Sequence, residues 1–226
     1  SEEEYVSFIK EKSRSVDFLE TEKERYEYAS CLYVIEKVRQ EGGICIFAHP
    51  YWAAGDRYNV STPLTEAFLK TGIFDAFELF NGDYLDINAI QLALYHDLYK
   101  QYKIPLVSGT DAHGIINHTF FGTFHTVVFA ESCEENSLFD NIKKLNSVVV
   151  MPIRGSAPFV YGPLRLVKYT MYLLREVIPL HDDLCKEEGI LMEYALRGSQ
   201  KAIKALSVLK GQTTDYYDKI FGAIKS

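Results

Sequence analysis

Three residues of this chain have the chemistry of metal ligands: His49, Asp111 and His113. Asp111 and His113 stand two positions apart in residues 109–113 (GTDAH), and His49 precedes a proline in residues 48–50 (AHP). One hard carboxylate oxygen and two imidazole nitrogens suit zinc, manganese or iron. An Asp-x-His pair also arises often by chance, as a loop aspartate that accepts backbone hydrogen bonds beside a surface histidine. His49 could likewise be a buried histidine bonded to a carbonyl group. We interpret the three as candidate metal ligands.

Glu78 and Asn81 are two further candidates, in residues 77–81 (FELFN). A carboxylate inside an apolar segment needs a cation or hydrogen-bond donors if it is buried. Glu78 could therefore be a metal ligand, an acceptor that orients an imidazole, or a solvent-exposed side chain. The same alternatives hold for Asn81.

His118 and Arg154 are candidates for binding phosphate. A guanidinium group can hold two phosphate oxygens at once, and an imidazole can bind phosphate near neutral pH. Arg154 could equally form a surface ion pair, as arginines in loops commonly do.

The candidate ligands follow predicted strands. Short apolar runs over residues 44–48, 76–80 and 104–109 predict strands, and helical periodicity separates them. Alternating strands and helices predict parallel strands with right-handed crossovers, whose carboxyl ends lie at one edge of the sheet. We therefore expect an α/β fold with mostly parallel strands that brings together His49, Glu78 or Asn81, and Asp111 with His113.

Three segments of different character follow one another. Residues 1–40 predict amphipathic helices, residues 41–160 the α/β part, and residues 161–226 a helical carboxyl-terminal appendage. Within the α/β part we also predict strands over 126–130 and 148–151 and a helix over 134–146. Pro179 and Gly189 are expected to interrupt the carboxyl-terminal helices.

Composition narrows the class of protein. The 226 residues include 24 Lys and Arg against 31 Asp and Glu, a net charge of −7. Tight binding to a nucleic-acid backbone needs clustered cations, so this balance argues against a nucleic-acid partner. Four scattered cysteines do not form a disulfide scaffold, and no apolar run is long enough to span a bilayer. We expect a cytoplasmic protein with reduced thiols and no membrane partner.

Three blocks resemble a known family. Residues 42–50 (GGICIFAHP), 77–82 (FELFNG) and 107–113 (VSGTDAH) are similar, in this order, to segments of the polymerase and histidinol phosphatase (PHP) superfamily. The resemblance covers roughly residues 40 to 130. It implies a distorted (β/α) barrel of the PHP type, present here as its carboxyl-terminal half with additional helices at both ends.

The resemblance also implies an activity. PHP domains bind up to three zinc, manganese or iron ions and hydrolyse phosphoesters, so His49, Asp111 and His113 are expected to be metal ligands. The expected substrate is a small phosphorylated metabolite or nucleotide. Glu78 matches a glutamate often found at that strand end in the family.

The family's early His-x-His motif has no counterpart, because no histidine precedes His49. Two interpretations follow. Either this chain supplies part of the metal site of a longer phosphoesterase, or it is a degenerate PHP module that binds a partner or oligomerises. An incomplete barrel leaves an open sheet edge, which a homodimer could cover.

Overall fold

The structure is a computed structural model of a mixed α/β protein with a small parallel sheet. It divides into two compact units, Ser1–Val167 and Lys168–Ser226. The residues that it describes are 1–54, 57–82, 85–99, 101–113, 123–153 and 155–222.

The first unit combines helices and short strands. Its helices are α1 (Glu2–Ser15), α2 (Glu22–Gln40), α3 (Thr62–Thr71), α4 (Leu85–Tyr99) and α5 (Glu135–Lys143). Its strands are β1 (Ile46–Phe47), β2 (Ala53–Ala54), β3 (Arg57–Tyr58), β4 (Ala76–Asn81), β5 (Leu106–Gly109), β6 (His125–Val128), β7 (Ser147–Met151) and β8 (Phe159–Tyr161). Helix α6 (Leu164–Tyr172) carries the chain into the second unit.

The predicted parallel sheet is present in the order β1-β4-β5. Phe47 lies opposite Phe77, and Asn81 lies opposite Gly109. Every residue of β4 is buried, as a central strand covered on both faces requires. A register shift between Glu78 and Phe80 interrupts the ladder just before the strand ends.

The expectation of mostly parallel strands was wrong for the later strands, because β6-β7-β8 form an antiparallel sheet. Val128 lies opposite Ser147, so the chain returns to the same end of the sheet after α5. A turn after α5 reverses the direction of the chain. It contains Leu145, which has a left-handed φ of 63°, and a hydrogen bond of 2.9 Å from Asn146 N to the Asn141 carbonyl. Helical periodicity between two strands does not encode this reversal.

Side-chain hydrogen bonds join the two sheets. The Ser108 amide donates to Thr126 Oγ1 (2.8 Å), and Ser147 Oγ donates to the Leu106 carbonyl (2.9 Å). The described strands thus form two three-stranded sheets and the short β2–β3 pair, without closing into a barrel.

The amino-terminal helices share the core of the α/β part. Val16, Leu19, Tyr28 and Ile35 belong to the same cluster of buried side chains as Phe77. Ser1 and Thr21 cap α1 and α2 by accepting hydrogen bonds from Glu4 N and Glu24 N, respectively. Residues 1–40 are therefore helical, as predicted, and complete the core beside the parallel sheet.

The second unit is helical. A π-helical turn (Leu173–Val177) leads into α7 (Ile178–Leu196), which is followed by α8 (Gln200–Leu209) and α9 (Gln212–Phe221). Pro179 lies in the first turn of α7, directly after the π-helical turn, and Gly189 lies inside α7 and does not interrupt it. In the described parts of the chain, no helix has both the length and the apolar character needed to cross a bilayer.

Candidate functional site

Three strand ends meet at one edge of the parallel sheet. His49 follows β1 by two residues, Asn81 ends β4, and Asp111 follows β5 by two residues. His49 and Asp111 have left-handed φ values of 26° and 53°. Such values are uncommon for residues with a Cβ atom and often occur at functional sites, where packing holds the backbone in place.

Glu78 is the centre of a hydrogen-bond cluster at this edge. Its Oε2 accepts from the His49 backbone amide (3.0 Å), lies 2.9 Å from His49 Nδ1, and accepts from Asn81 Nδ2 (3.1 Å). The residue is only 9% exposed. This is the position that an acceptor orienting an imidazole would take, and the donors offset the desolvation of the carboxylate.

The cluster determines which nitrogen of the His49 ring carries the proton. An ionised carboxylate can only accept, so the short contact with Glu78 requires a hydrogen on Nδ1. The 3.2 Å separation between Asn81 Nδ2 and His49 Nδ1 is then a contact between two donors that share one acceptor. In the neutral ring, Nε2 keeps its lone pair and is available to a metal ion or a proton donor.

The charge environment favours the protonated form of His49. The hydrogen bond to Glu78 raises the pKa of the imidazole above its ordinary value and outweighs burial, which lowers it. The negative charges of Glu78 and Asp111 raise the pKa further. Asp111 is therefore within electrostatic reach of the ring.

Polar side chains of α4 hold the end of β4 in place. Asn88 Oδ1 accepts from the Asn81 amide (2.9 Å), and Gln91 Nε2 donates to the Leu79 carbonyl (2.9 Å). Both side chains are almost completely buried. Our sequence reasoning missed them, although two amide side chains three positions apart on one helix face could have indicated a polar contact with the sheet.

Gly109 leaves the room that Glu78 occupies. A Cβ atom at position 109 would lie 2.8 Å from Glu78 Oε1, closer than real Cβ atoms approach their neighbours. The glycine before Thr110 and Asp111 is thus required by the close approach of β5 to the carboxylate.

The charge of Asp111 acts on the His49 ring, and the His113 side chain is exposed. Among the described residues, no group of three His, Cys, Asp or Glu side chains is placed to hold a metal ion. His118 and Arg154, the candidates for binding phosphate, lie outside the described residues.

Two independent observations therefore bear on this site. The resemblance to the PHP family rests on three sequence blocks, and the chemistry rests on the contacts of His49, Glu78 and Asn81. Comparisons of the chain with protein families, with curated proteins and with solved structures find no match.

Proposed function

We propose that this chain supplies part of the metal site of a metal-dependent phosphoesterase. The observation that carries the proposal is the contact between His49 Nδ1 and the buried Glu78 carboxylate. A histidine that binds a metal through one nitrogen commonly donates its other N–H to a carboxylate, which sets the tautomer and raises the basicity of the ligand.

The residues present fit a partial site. His49 Nε2 and the Asp111 carboxylate would hold a divalent ion, with His113 as the third ligand that the resemblance implies. When bound, such an ion lowers the pKa of a coordinated water and neutralises charge on phosphate oxygens. Glu78 keeps the proton on Nδ1, and Asn81 helps to hold Glu78 in place.

We also propose that the two sheets belong to a partial barrel of the PHP type. The support is the pair of side-chain bonds that continue the sheet past β5, from Ser108 to Thr126 and from Ser147 to Leu106. Metal ligands at the carboxyl ends of the strands are typical of α/β barrels.

The proposed substrate is a small phosphorylated metabolite or nucleotide, as the resemblance implies. His118 and Arg154 stay candidates for contacts with its phosphate group. The net charge of −7 makes cation-bound small phosphates a better fit than a nucleic-acid backbone.

A second candidate function is a PHP-like module that binds without catalysis. The observation that favours it is that, among the described residues, no group of three His, Cys, Asp or Glu side chains is placed to hold a metal ion. A module of this kind could retain the geometry of His49 and Glu78 and bind metal weakly or not at all.

The test is a calorimetric titration of the metal-free protein with zinc and with manganese. We expect the unmutated chain to bind a single ion and His49→Ala to abolish binding. Glu78→Gln should weaken binding by about 10- to 100-fold, the usual effect of losing a partner of a metal-bound histidine. His96→Ala, an exposed histidine on α4, is the matched control and should leave binding unchanged.

Two results would contradict the proposal: no binding by the unmutated chain, or equal binding by His49→Ala. A parallel assay with p-nitrophenyl phosphate separates the two candidates. Metal binding with measurable hydrolysis supports the phosphoesterase, whereas metal binding without hydrolysis favours the module.

A further inference from the structure

The helical unit exposes more apolar side chains than it buries. Its buried apolar residues, among those described, are Leu173, Val177 and Ala202. Helix α7 has no buried residue over its 19 positions. The large exposed apolar side chains of α7 and α8 are Leu180, Ile190, Met192, Tyr194, Leu196, Ile203 and Val208. So many exposed apolar side chains on a small helical unit indicate an interaction surface.

One exposed face of α7 combines apolar and acidic side chains. Leu180, Asp183, Glu187, Ile190 and Tyr194 follow one another at spacings of three and four, so they form a stripe along the helix, and all five are exposed. We call this set the acidic stripe.

Helix α8 carries a matching stripe of opposite charge. Lys201, Lys204 and Val208 are also spaced by three and four and are exposed. In the described parts of the chain, none of these lysines, nor Asp183 or Glu187, takes part in an ion pair. We call this set the basic stripe.

Both stripes lie on the same side of the α7–α8 hairpin. Helices α7 and α8 contact each other. Since Leu184 and Leu191 of α7 are partly buried and Ala202 of α8 is buried, we infer that these residues lie on the facing sides. Successive residues of an α-helix are rotated by about 100° around its axis. Each stripe therefore lies roughly a quarter to a third of a turn around its helix from the side that faces the other helix. Residues 197–199 reverse the chain, so α8 runs opposite to α7. The two stripes are therefore displaced toward the same side of the hairpin and lie side by side.

The other side of the hairpin is occupied by α9. The ring of Tyr217 lies 4.9 Å from the ring of His181, a residue of α7 outside the acidic stripe. Tyr216 Oη donates to the Val177 carbonyl (3.1 Å) just before α7 begins. Within the helical unit, α9 therefore leaves both stripes uncovered.

We propose that a second copy of this chain docks on the two stripes, hairpin against hairpin. A two-fold axis places the acidic stripe of each copy on the basic stripe of the other, so one surface serves both partners. Helix α7 contains five acidic residues and one lysine, whereas α8 contains two lysines and no acidic residue. Because acidic and basic stripes lie on the same hairpin, the surface is complementary to the same surface of a second copy. An unrelated partner would not require both charges on one surface.

The inference does not depend on the metal site, so either proposal can fail alone. The test uses the full chain and measures its mass by sedimentation equilibrium and by light scattering after gel filtration. We expect twice the 25.9 kDa of the single chain at high micromolar concentration. A chain that stays at 25.9 kDa up to its solubility limit overturns the proposal.

Two double variants test the pairing of the stripes. Asp183→Lys with Glu187→Lys makes both stripes basic, and Lys201→Glu with Lys204→Glu makes both acidic. Each variant alone should dissociate, with a dissociation constant raised by about tenfold or more, because like charges then face each other. An equimolar mixture should associate again as a mixed dimer, since its stripes are once more of opposite sign.

The mixture also controls for misfolding, because a variant that had lost its helices would not associate with the other. A further control, Glu11→Lys with Glu20→Lys, makes the same charge change on exposed residues of the first unit and should leave the dimer intact. Variants that stay dimeric alone, or a mixture that stays monomeric, would show that some other surface is used.

Discussion

Strand β4 and helix α7 show how differently the two units of this protein use apolar residues. All six residues of β4 are buried, whereas none of the 19 residues of α7 is. The strand lies between β1 and β5 and contacts α4, while α7 contacts the helices of its own small unit. The same kinds of side chain therefore stabilise the fold in one unit and form a surface in the other.

Burial and exposure make different side chains informative about function in the two units. In the α/β unit, burial makes an isolated carboxylate costly, so Glu78 is informative because it is nearly buried and fully engaged. In the helical unit the charged side chains are exposed and lose little hydration. Only their arrangement beside apolar residues is therefore informative about function.

The largest expected effect is a loss of stability on truncating a core residue of β4. Leu79 is fully buried, so Leu79→Ala should lower the free energy of unfolding by about 2–5 kcal/mol. Ile190→Ala, at a position that is 41% exposed on α7, should change it by about 0.5 kcal/mol or less. Urea unfolding of both variants at low protein concentration makes the comparison. Equal losses would show that α7 is as well packed as β4.

A smaller loss is expected at Asp75, which joins three elements of the α/β unit. Its carboxylate accepts from the Cys45 amide (2.8 Å) and pairs with Arg39 (3.2 Å) and Lys143 (3.3 Å). Asp75→Ala leaves the amide without its partner and should cost about 1–3 kcal/mol. The exposed Asp17→Ala is the control.

The same carboxylate makes stability depend on acid pH. Burial raises the pKa of Asp75, but the Cys45 amide, Arg39 and Lys143 lower it more, so the net shift is downward. A depressed pKa contributes stability above the ordinary value, 3.8, that is lost as the pH falls through the folded-state pKa. The free energies of unfolding of the unmutated chain and of Asp75→Ala should therefore converge as the pH falls from neutral to acid. Parallel curves would contradict this.

Hydrogen exchange gives a third comparison of the two units. Amides of β4 should exchange only through global unfolding, whereas those of α7 should exchange through local opening, faster by about tenfold or more. Raising the protein concentration should slow exchange in α7 and leave β4 unchanged if two copies associate. Equal protection of both elements at low concentration would remove the contrast between the units.

The smallest expected effect concerns the pH dependence of His49 in the metal-free protein. Because Glu78 raises its pKa above 6.5, the charged pair stabilises the fold fully below that value. This contribution is lost as the pH rises through the raised pKa. Titration of the imidazole resonance should show a lower pKa in Glu78→Gln, with His96 as the internal reference. An unchanged His49 pKa in that variant would rule out the pairing.

Much of the secondary structure could be predicted because its signals are local. The apolar run over 76–80 is now β4, and the helix predicted over 134–146 is α5. The missed strands β2, β3 and β8 have only two or three residues each, too few for a periodic pattern. Strand direction after α5 was missed because it depends on one backbone reversal at Leu145.

The candidate site was predictable in its members and unpredictable in its contacts. His49, Asn81 and Asp111 were expected at strand ends, and they lie there. The sequence left Glu78 with three alternatives, because a strand residue near a register shift can point to either face. Asn88 and Gln91 were missed since helical periodicity alone does not show which polar residues are buried.

The main strands and helices, and the places of His49, Asn81 and Asp111 at three strand ends, could be read from the sequence alone. Caps and periodicity act between near neighbours, so they are readable without a fold. Only the tertiary structure decided that Glu78 holds the proton on His49 Nδ1, across 29 positions of the chain, and that β6 and β7 run antiparallel. It also decided that α7 stays exposed, because burial depends on which elements meet.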